Sequence, residues 1–590
     1  MSDGTYTNQI EVKINGRALT PRQQQCLVEA WVDASVNLPA AFQLTFRDQQ
    51  RTLLSDLGAK IGAKVELRAK AIGKDGGGPL FTGEVTAMEA DFDDTGKFSV
   101  VRGHDPGHRL LRNRRVEGYQ NMTASDIARK LASRNGLKIG KISSTRTPYK
   151  MITQPNVTDW DFLTRLAQEN DVELYFSDTG RFQFVDPKPA SGAPGKGAKA
   201  KTNPRVLEFG INLLRCRTVV TASDQVKTVQ VRGWDAERKR AVTAKKPATS
   251  NPELAIGLKG QQASSPFGAA ELVETDIPYD TNAQVKEAAA ALADDVSAAF
   301  AELEAEVRGD PKLRPGMPVA LTGIGKPFEG KYTVTAARHV FTVGRPYETR
   351  LTVSGRQHRS LFGLASGGSA PASSALPGVA SAIVTDIDRR GRVKLKFPWL
   401  DDTYVSDWAR VAQFGGVRGG GLLTPEVNDE VLVAFDRGAL DHPYVIGGLY
   451  NGVDRLPRYQ KLPVAGMNGR VNWRSIADRT GNRVELVTGM SSRGVKVSTG
   501  DDRVTIELRQ IGHRLTVNSD GSVEISGTRL VTVKGAMVRV NATQRLDLQA
   551  PSIGMRAPNL NITGMVSVQG KLDVTGLITQ NQMPVMIVPA

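Results

Sequence analysis

A chain of 590 residues is longer than one hydrophobic core organises and predicts three or four domains. With 40% hydrophobic and 23% charged residues most of it is able to fold, and no apolar run is long enough to span a bilayer. The net charge of +16 raises nucleic acid as a partner. The basic residues are spread out, however, with short clusters only at Arg109–Arg115, Lys196–Lys201 and Arg238–Lys246, so they read as solvated surface charge. Neither Cys26 nor Cys216 lies in a CxxC pair, which excludes disulfide and zinc frameworks and predicts two buried small hydrophobes. The polar start MSDGTYTNQIEVKING lacks the basic and apolar regions of a secretory signal. The expectation is synthesis in the cytoplasm, with export only by lysis or inside a machine.

In chain order, residues 1–118 read as strands. Ile10, Val12 and Ile14 alternate and run into Asn15-Gly16, a hairpin signal. Phe42/Leu44/Phe46, Val65/Leu67 and Phe98/Val100 keep the same period of two. In residues 119–204, Thr123 with Asp126 forms a capping box before the stripe Ile127–Leu131, which Gly136 ends. Thr158 and Asp161 repeat the device before Phe162, Leu163 and Leu166. A hairpin follows, Val172–Phe176 and Phe182–Val185 around Asp178-Thr179-Gly180, and 187–204 is rich enough in Pro, Gly, Ala and Lys to predict a flexible loop.

Residues 205–357 predict strands at Thr218–Arg232, an alanine-rich helix over Asn282–Val307, and strands at Val319–Leu321, Tyr332–Phe341 and Thr349–Val353. Residues 358–378 read as a linker. One echo joins the two strand-rich regions. Gly62-Ala-Lys-Val-Glu-Leu, Phe81-Thr-Gly83-Glu-Val-Thr-Ala and Ser99-Val-Val-Arg-Gly103 recur in order as Gly316-Met-Pro-Val-Ala-Leu, Phe328-Glu-Gly330-Lys-Tyr-Thr-Val-Thr-Ala and Leu351-Thr-Val-Ser-Gly355. We read a duplicated β-domain. Residues 379–456 hold five short strand candidates and predict an OB-type barrel, with 457–483 as a connector.

From Val484 to residue 582 the sequence is a ladder of apolar pairs: Val504/Ile506, Leu515/Val517, Val523/Ile525, Val531/Val533, Val538/Val540 and Leu546/Leu548, with weaker rungs before and after. The spacing shrinks from about nine residues to about six, which suggests a taper. Two apolar residues per rung make no core in one chain; they do when identical chains stack rungs around a shared axis. If three chains share that axis, twelve or thirteen rungs at roughly 4.8 Å between strands give a needle of about 60 Å. The final stretch, 583–590, keeps Met583 and, between two prolines, Val585, Met586, Ile587 and Val588 apolar, and reads as a blunt hydrophobic end that either docks a separate protein or packs on its own copies to seal the needle.

The chain resembles the VgrG-type hub-spike proteins of contractile injection systems: type VI secretion, extracellular phage-tail-like particles and contractile phage baseplates. The resemblance rests on Arg102-Gly-His-Asp-Pro106, Tyr119-Gln-Asn-Met-Thr-Ala-Ser-Asp-Ile-Ala128, Asp159-Trp-Asp-Phe-Leu-x-Arg-Leu-Ala167 and Val229-Gln-Val-Arg-Gly-Trp-Asp235. In the barrel it rests on Gly391-Arg-Val-Lys-Leu-Lys-Phe-Pro-Trp399, Trp408-Ala-Arg-Val411, Pro425-Glu-Val-Asn-Asp-Glu-Val-Leu-Val433 and His442-Pro-Tyr-Val-Ile-Gly447. Asn428 stands where the family has Gly, and Ala439-Leu440 replaces a more polar turn. The resemblance implies a mainly β protein: duplicated hub domains with a small helical insertion, an OB-fold neck and a trimeric β-helix needle. It implies a homotrimer seated on an inner tube protein and baseplate proteins. A PAAR-like tip protein and effector cargo would be carried, the target membrane would be pierced mechanically, and no cofactor is called for.

The patterns that carry chemistry are incomplete in this sequence. His104 and His108 are four apart, which suggests a metal pair, but Asp105-Pro106 lies between them, so no helix and no metal pair are expected there. Asp91-x-Asp93-x-Thr95-Gly96 begins like a calcium loop, but Arg102 stands where Glu is needed. No GxxxxGK[ST], GxSxG or HExxH is present. His513, the one histidine of the ladder, reads as a solvated turn residue; the alternative is that it faces the shared axis, where three copies would bind a metal. The expectation is a structural protein without catalysis and without a specific nucleic-acid partner. The alternatives are a β-helix enzyme acting on polysaccharide, or an OB-fold that stacks bases on Trp399, Tyr404, Trp408 and Phe414.

Overall fold

The computed structural model describes residues 6–71, 78–222, 225–248, 252–298, 300–354, 378–416, 419–454, 469–489, 493–581 and 583–584. The chain divides into two compact units, Met1–Leu456 and Pro457–Ala590.

In the first unit, β1 (Tyr6–Ile14) and β2 (Arg17–Ala18) turn at Asn15-Gly16, both with positive φ. A short helix α1 (Pro21–Cys26) leads to β3 (Leu27–Ser35) and β4 (Leu38–Arg47), then α2 (Leu53–Asp56), β5 (Lys64–Ala71), β6 (Gly78–Asp93) and β7 (Gly96–His104). Alternation sends Phe42, Leu44 and Phe46 into one core with Val65 and Leu67. Gly103 on β7 lies so near β6 that an added Cβ would meet the Glu84 carbonyl oxygen at 1.9 Å.

The insertion follows: β8 (Arg114–Met122), α3 (Ala124–Arg134), β9 (Ile139–Ile142), β10 (Tyr149–Thr158), α4 (Asp159–Glu169), β11 (Glu173–Phe176) and β12 (Phe182–Val185). Thr123 accepts from the Asp126 amide, and the Asp126 carboxylate accepts from the Thr123 amide. Thr158 accepts from the Asp161 amide at the start of α4. Both helices face a core that holds Tyr119, Phe162 and Phe182.

The next elements are β13 (Val206–Glu208), β14 (Leu213–Val220), β15 (Thr228–Asp235), β16 (Arg240–Pro247), β17 (Leu254–Ile256), α5 (Gly260–Ser264), β18 (Glu271–Glu274) and α6 (Asn282–Ala298). They are followed by β19 (Ala301–Arg308), β20 (Pro318–Thr322), β21 (Gly330–Thr333), β22 (Ala336–Thr342) and β23 (Glu348–Val353).

The echo in sequence corresponds to a repeated strand pattern. β6 pairs with β5 through its first half and with β7 through its second. In the second copy that long strand is broken at Val334-Thr335 into β21, on β20, and β22, on β23. The two copies share one eleven-stranded sheet, ordered β14-β19-β23-β22-β3-β4-β7-β6-β5-β1-β2. The weld is β22 on β3, with Phe341 packed in the core of the first copy.

Four expectations are corrected. The helix over Asn282–Val307 stops at Ala298, and Ala301–Arg308 is a strand whose Ala301, Leu303, Ala305 and Val307 are buried. Its period of two, held between β14 and β23, overrides the helix preference of alanine. The flexible loop at 187–204 is instead an ordered strap: the Ala190 amide donates to Pro252 O at 2.7 Å, Thr333 Oγ1 donates to Lys188 O at 2.8 Å, and Lys331 Nζ donates to Ser191 O and Ala193 O. Cys26 and Cys216 are half-buried, each beside a core. A 3₁₀ turn does form after His104, over Pro106–Leu111, because proline suits a helix start and Asp105 caps it.

The linker at 358–378 lies outside the described residues except for Gly378. Beyond it β24 (Val379–Ile387), β25 (Val393–Lys396), β26 (Arg410–Val411), β27 (Glu430–Phe435) and β28 (Pro443–Gly448) form a sheet ordered β25-β24-β27-β28-β26. Paired amide bonds between Val393 and Ala409 join its ends, so it closes as a barrel. It is seated on the insertion through Thr153–Tyr404 (3.0 Å) and Lys150–Asp407 (2.9 Å).

In the second unit β29 (Trp473–Ala477), β30 (Arg483–Val487), β31 (Gly494–Ser498), β32 (Val504–Arg509) and β33 (Arg514–Ser519) form an antiparallel meander. The sheet therefore begins inside the stretch expected as a connector, 457–483, because Trp473 anchors an extra strand. Residues 457–468 lie outside the described residues. Among the described residues, none from 520 to 578 pairs as a strand within the chain; β34 (Thr579–Gln580) and β35 (Met583–Pro584) form a small hairpin.

Candidate functional site

The cross-strand register of the meander sorts its side chains into two faces. Ile476, Val484, Val497, Ile506 and Val517 oppose one another in succession, and Leu486, Val495, Leu508 and Leu515 form a second row beside them. This apolar face is open: Val504 and Ile506 are 43% and 41% exposed, and Leu515 and Val517 exceed that. Further along the chain Val523, Ile525, Val531, Val533, Val538, Val540, Leu546 and Leu548 are all exposed, with Ile525 at 78%. Fully burying a Val, Leu or Ile side chain is worth roughly 1.5–3 kcal/mol, so a surface that covers these rungs gains tens of kcal/mol. Of the expected tip residues, Met583 is exposed in β35, while Val585, Met586, Ile587 and Val588 lie outside the described residues.

The opposite face carries a charged cluster that no sequence signal announced. The Arg483 side chain is 1% exposed, with Nε 3.1 Å from Glu485 and Nη2 2.5 Å from Asp502. Its Nη1 donates to the carbonyls of Gly481 and Thr499. Trp473 Nε1 donates to Glu485 at 2.8 Å, and Lys496 Nζ reaches Asp502 at 3.0 Å. Burial raises the Asp502 carboxyl, but hydrogen bonds from Lys496 and Arg483 outweigh it and hold it below the usual range. The partners come from three strands and one turn, so only the register brings them together.

The residues tested for chemistry are placed apart. His104 sits on β7, while His108 pairs with Glu84 at 3.1 Å, and Arg109 pairs with the same carboxylate. Asp93 closes the β6–β7 turn, accepting from the Thr95 and Gly96 amides. His513 lies in the turn between β32 and β33 with φ 47°. Among the described residues no group of three His, Cys, Asp or Glu side chains is arranged to hold a metal. In the barrel Tyr404 is buried against Phe397, Trp399 donates to Ser381 O, and Trp408 is covered by Lys394, whereas Phe414 is exposed. Tyr404, 4% exposed, offers no open ring face of the kind a stacking platform needs. Among the described residues no helix is long and apolar enough to cross a membrane.

Comparison with known proteins agrees with this architecture. Residues 8–342 match the family model of the Alg8 N-terminal domain, and 376–450 match the type VI secretion system/phage-baseplate injector OB domain. The chain is 45% identical over 75 residues to the type VI secretion system spike protein VgrG5 of Pseudomonas aeruginosa, covering 12% of this chain and 10% of that one. It is 37% identical over 75 residues to VgrG2a of the same organism, covering 12% and 9%. The chain thus spans about a tenth of the length of these curated relatives. A chain of the Francisella PdpA–VgrG complex in its half-lidded form shares the fold, with TM-score 0.51 and 8% identity over 87% of this chain and 88% of that chain. With more than half of its length matched by the first family model, the chain belongs to the Alg8 N-terminal domain family and carries an injector OB domain, in a fold shared with a chain of the PdpA–VgrG complex.

Proposed function

We propose that the chain is the homotrimeric hub and piercing spike of a contractile injection machine and carries out no catalysis of its own. The observation that carries this reading is the two-row apolar face of the meander, continued by exposed rungs to Leu577. Soluble proteins rarely leave so large an apolar surface open. Three copies wrapped around one axis bury it and produce a stiff needle from the ladder, 484–582. The contracting machine supplies the work, so the needle needs stiffness and no active site.

The doubled β pattern of the hub suits the remaining partners. Three chains with two similar copies each present six near-equivalent units, which fit a hexameric ring of an inner tube protein within the baseplate. Met583 and the residues after it are the docking end for a PAAR-like capping protein, with effector cargo carried alongside. The protein is made in the cytoplasm and acts inside an assembled particle, and the target membrane is breached mechanically. The test is the mass of the full chain in solution by light scattering at micromolar concentration. Three times 63.7 kDa is expected; a folded monomer overturns the reading.

A further inference from the structure

The eleven-stranded hub sheet leaves two long edges unpaired among the described residues: the second half of β6, which has β7 on one side only, and β14, which has β19 on one side only. The repeat shows what each edge lacks. In the second copy, the counterpart of the β6 edge is β22, and it is paired with β3. In the first copy, the counterpart of β14 is β3, and it is paired with β22.

The register makes this correspondence residue by residue. Val-Thr-Ala recurs at 85–87 and 334–336, and Ala87 and Ala336 pair with Arg102 and Thr352 on the strands that follow. Leu44 links Ala30 to Val101, as Ala305 links Cys216 to Leu351. Phe92 thus stands where Phe341 stands, and Cys216 where Ala30 stands. Within the chain Phe341 pairs with Ala30, is 3% exposed and stacks on Tyr347 at 4.1 Å. Phe92 is 55% exposed.

We propose that β6 of one copy adds to β14 of the next in the β22–β3 register, with Asp91 opposite Arg217, Asp93 opposite Arg215, and Phe92 entering the second-copy core above Cys216. This rests on the trimer reading above and names the lateral contact that closes its hub. The edges are complementary in charge: Glu89, Asp91 and Asp93 share one face of β6, and Arg215 and Arg217 share one face of β14. Arg217 stands 3.6 Å from Glu304 of its own chain, Glu89 stands 3.1 Å from Arg102, and Asp93 holds its turn. The contact is head to tail, so it closes only as a ring, and closure removes both edges.

The Val343 amide donates to Val28 O, so Val340 and Trp31 form a non-hydrogen-bonded pair. By correspondence Asp91 and Arg217 do too, with Cα atoms about 4.5 Å apart, within disulfide range. The test is the full chain carrying Asp91→Cys and Arg217→Cys with Cys26→Ser and Cys216→Ser, oxidised and run on a denaturing gel. A closed covalent trimer is expected, at least five-fold more than from Asp91→Cys with Arg215→Cys. On the unaltered chain, hydrogen exchange at Ala90, Phe92, Cys216 and Thr218 should be slowed at least 100-fold, since those amides would bond across the contact. A trimer by light scattering that exchanges these amides freely, or cross-links equally in both registers, overturns the edge contact and leaves the trimer. A monomer overturns both, and covalent products growing beyond three chains overturn ring closure.

Discussion

The OB barrel and the ladder are written in the same residues, yet they solve burial in opposite ways. Val384, Leu395, Val431 and Val433 of the barrel are sealed within one chain. Val497, Ile506, Leu508 and Val517 of the meander alternate just as regularly and lie open. The difference is closure. The barrel strands curve until β25 meets the residues before β26, whereas the two rows of the meander stay exposed among the described residues. Alternation specifies that a strand has an apolar face; it does not say which chain covers it.

The sharpest way to break the comparison is to place a charge in each region. Val433→Asp buries an unpaired carboxylate in a closed core and should unfold the first unit at any concentration, seen as loss of its thermal transition. Ile506→Asp with Val517→Asp should abolish the trimer by light scattering while that transition survives. Softer changes should separate the same way. Phe397→Ala leaves a cavity and should cost about 3–5 kcal/mol in denaturant unfolding, independent of protein concentration. Ile525→Ala should instead give a midpoint that rises with concentration.

Smaller effects probe polar groups. Arg483→Met removes the cation from a buried cluster and leaves Glu485 held by Trp473 Nε1 without the Arg483 charge. It should destabilise the meander by about 3 kcal/mol, less if water reaches Asp502. The last effect is one of pH. Burial, and then the charge of Arg314, push the His339 imidazole down to about 3, below the value near 6.5 it has when unfolded. A lowered folded value means that its contribution is present above pH 6.5 and is lost as pH falls from 6.5 toward 3. Thermal melts of the chain should show this loss, and His339→Gln should flatten the profile over that window.

Much of the hub was legible because its signals are local. The Asn15-Gly16 turn, the Thr123 cap and the Phe42–Phe46 alternation need only neighbouring residues. Ala301–Val307 was misread because alanine favours a helix in isolation, while the buried alternation matters only once β14 and β23 flank it. The strap at 187–204 was misread for a related reason: its composition supplies little apolar area, and its order comes from Lys331, Thr333 and Pro252, far away in sequence.

The sequence by itself determined the modules, their order, the duplication and the ladder of apolar pairs, since each is a matter of period, spacing and short motifs. Only the tertiary structure decided that the two hub copies share one sheet, that Arg483, Glu485, Asp502 and Trp473 meet, and that β6 and β14 end as complementary edges. Those outcomes depend on strand register between segments up to hundreds of residues apart. Register is set by packing on both faces at once, which no local pattern encodes.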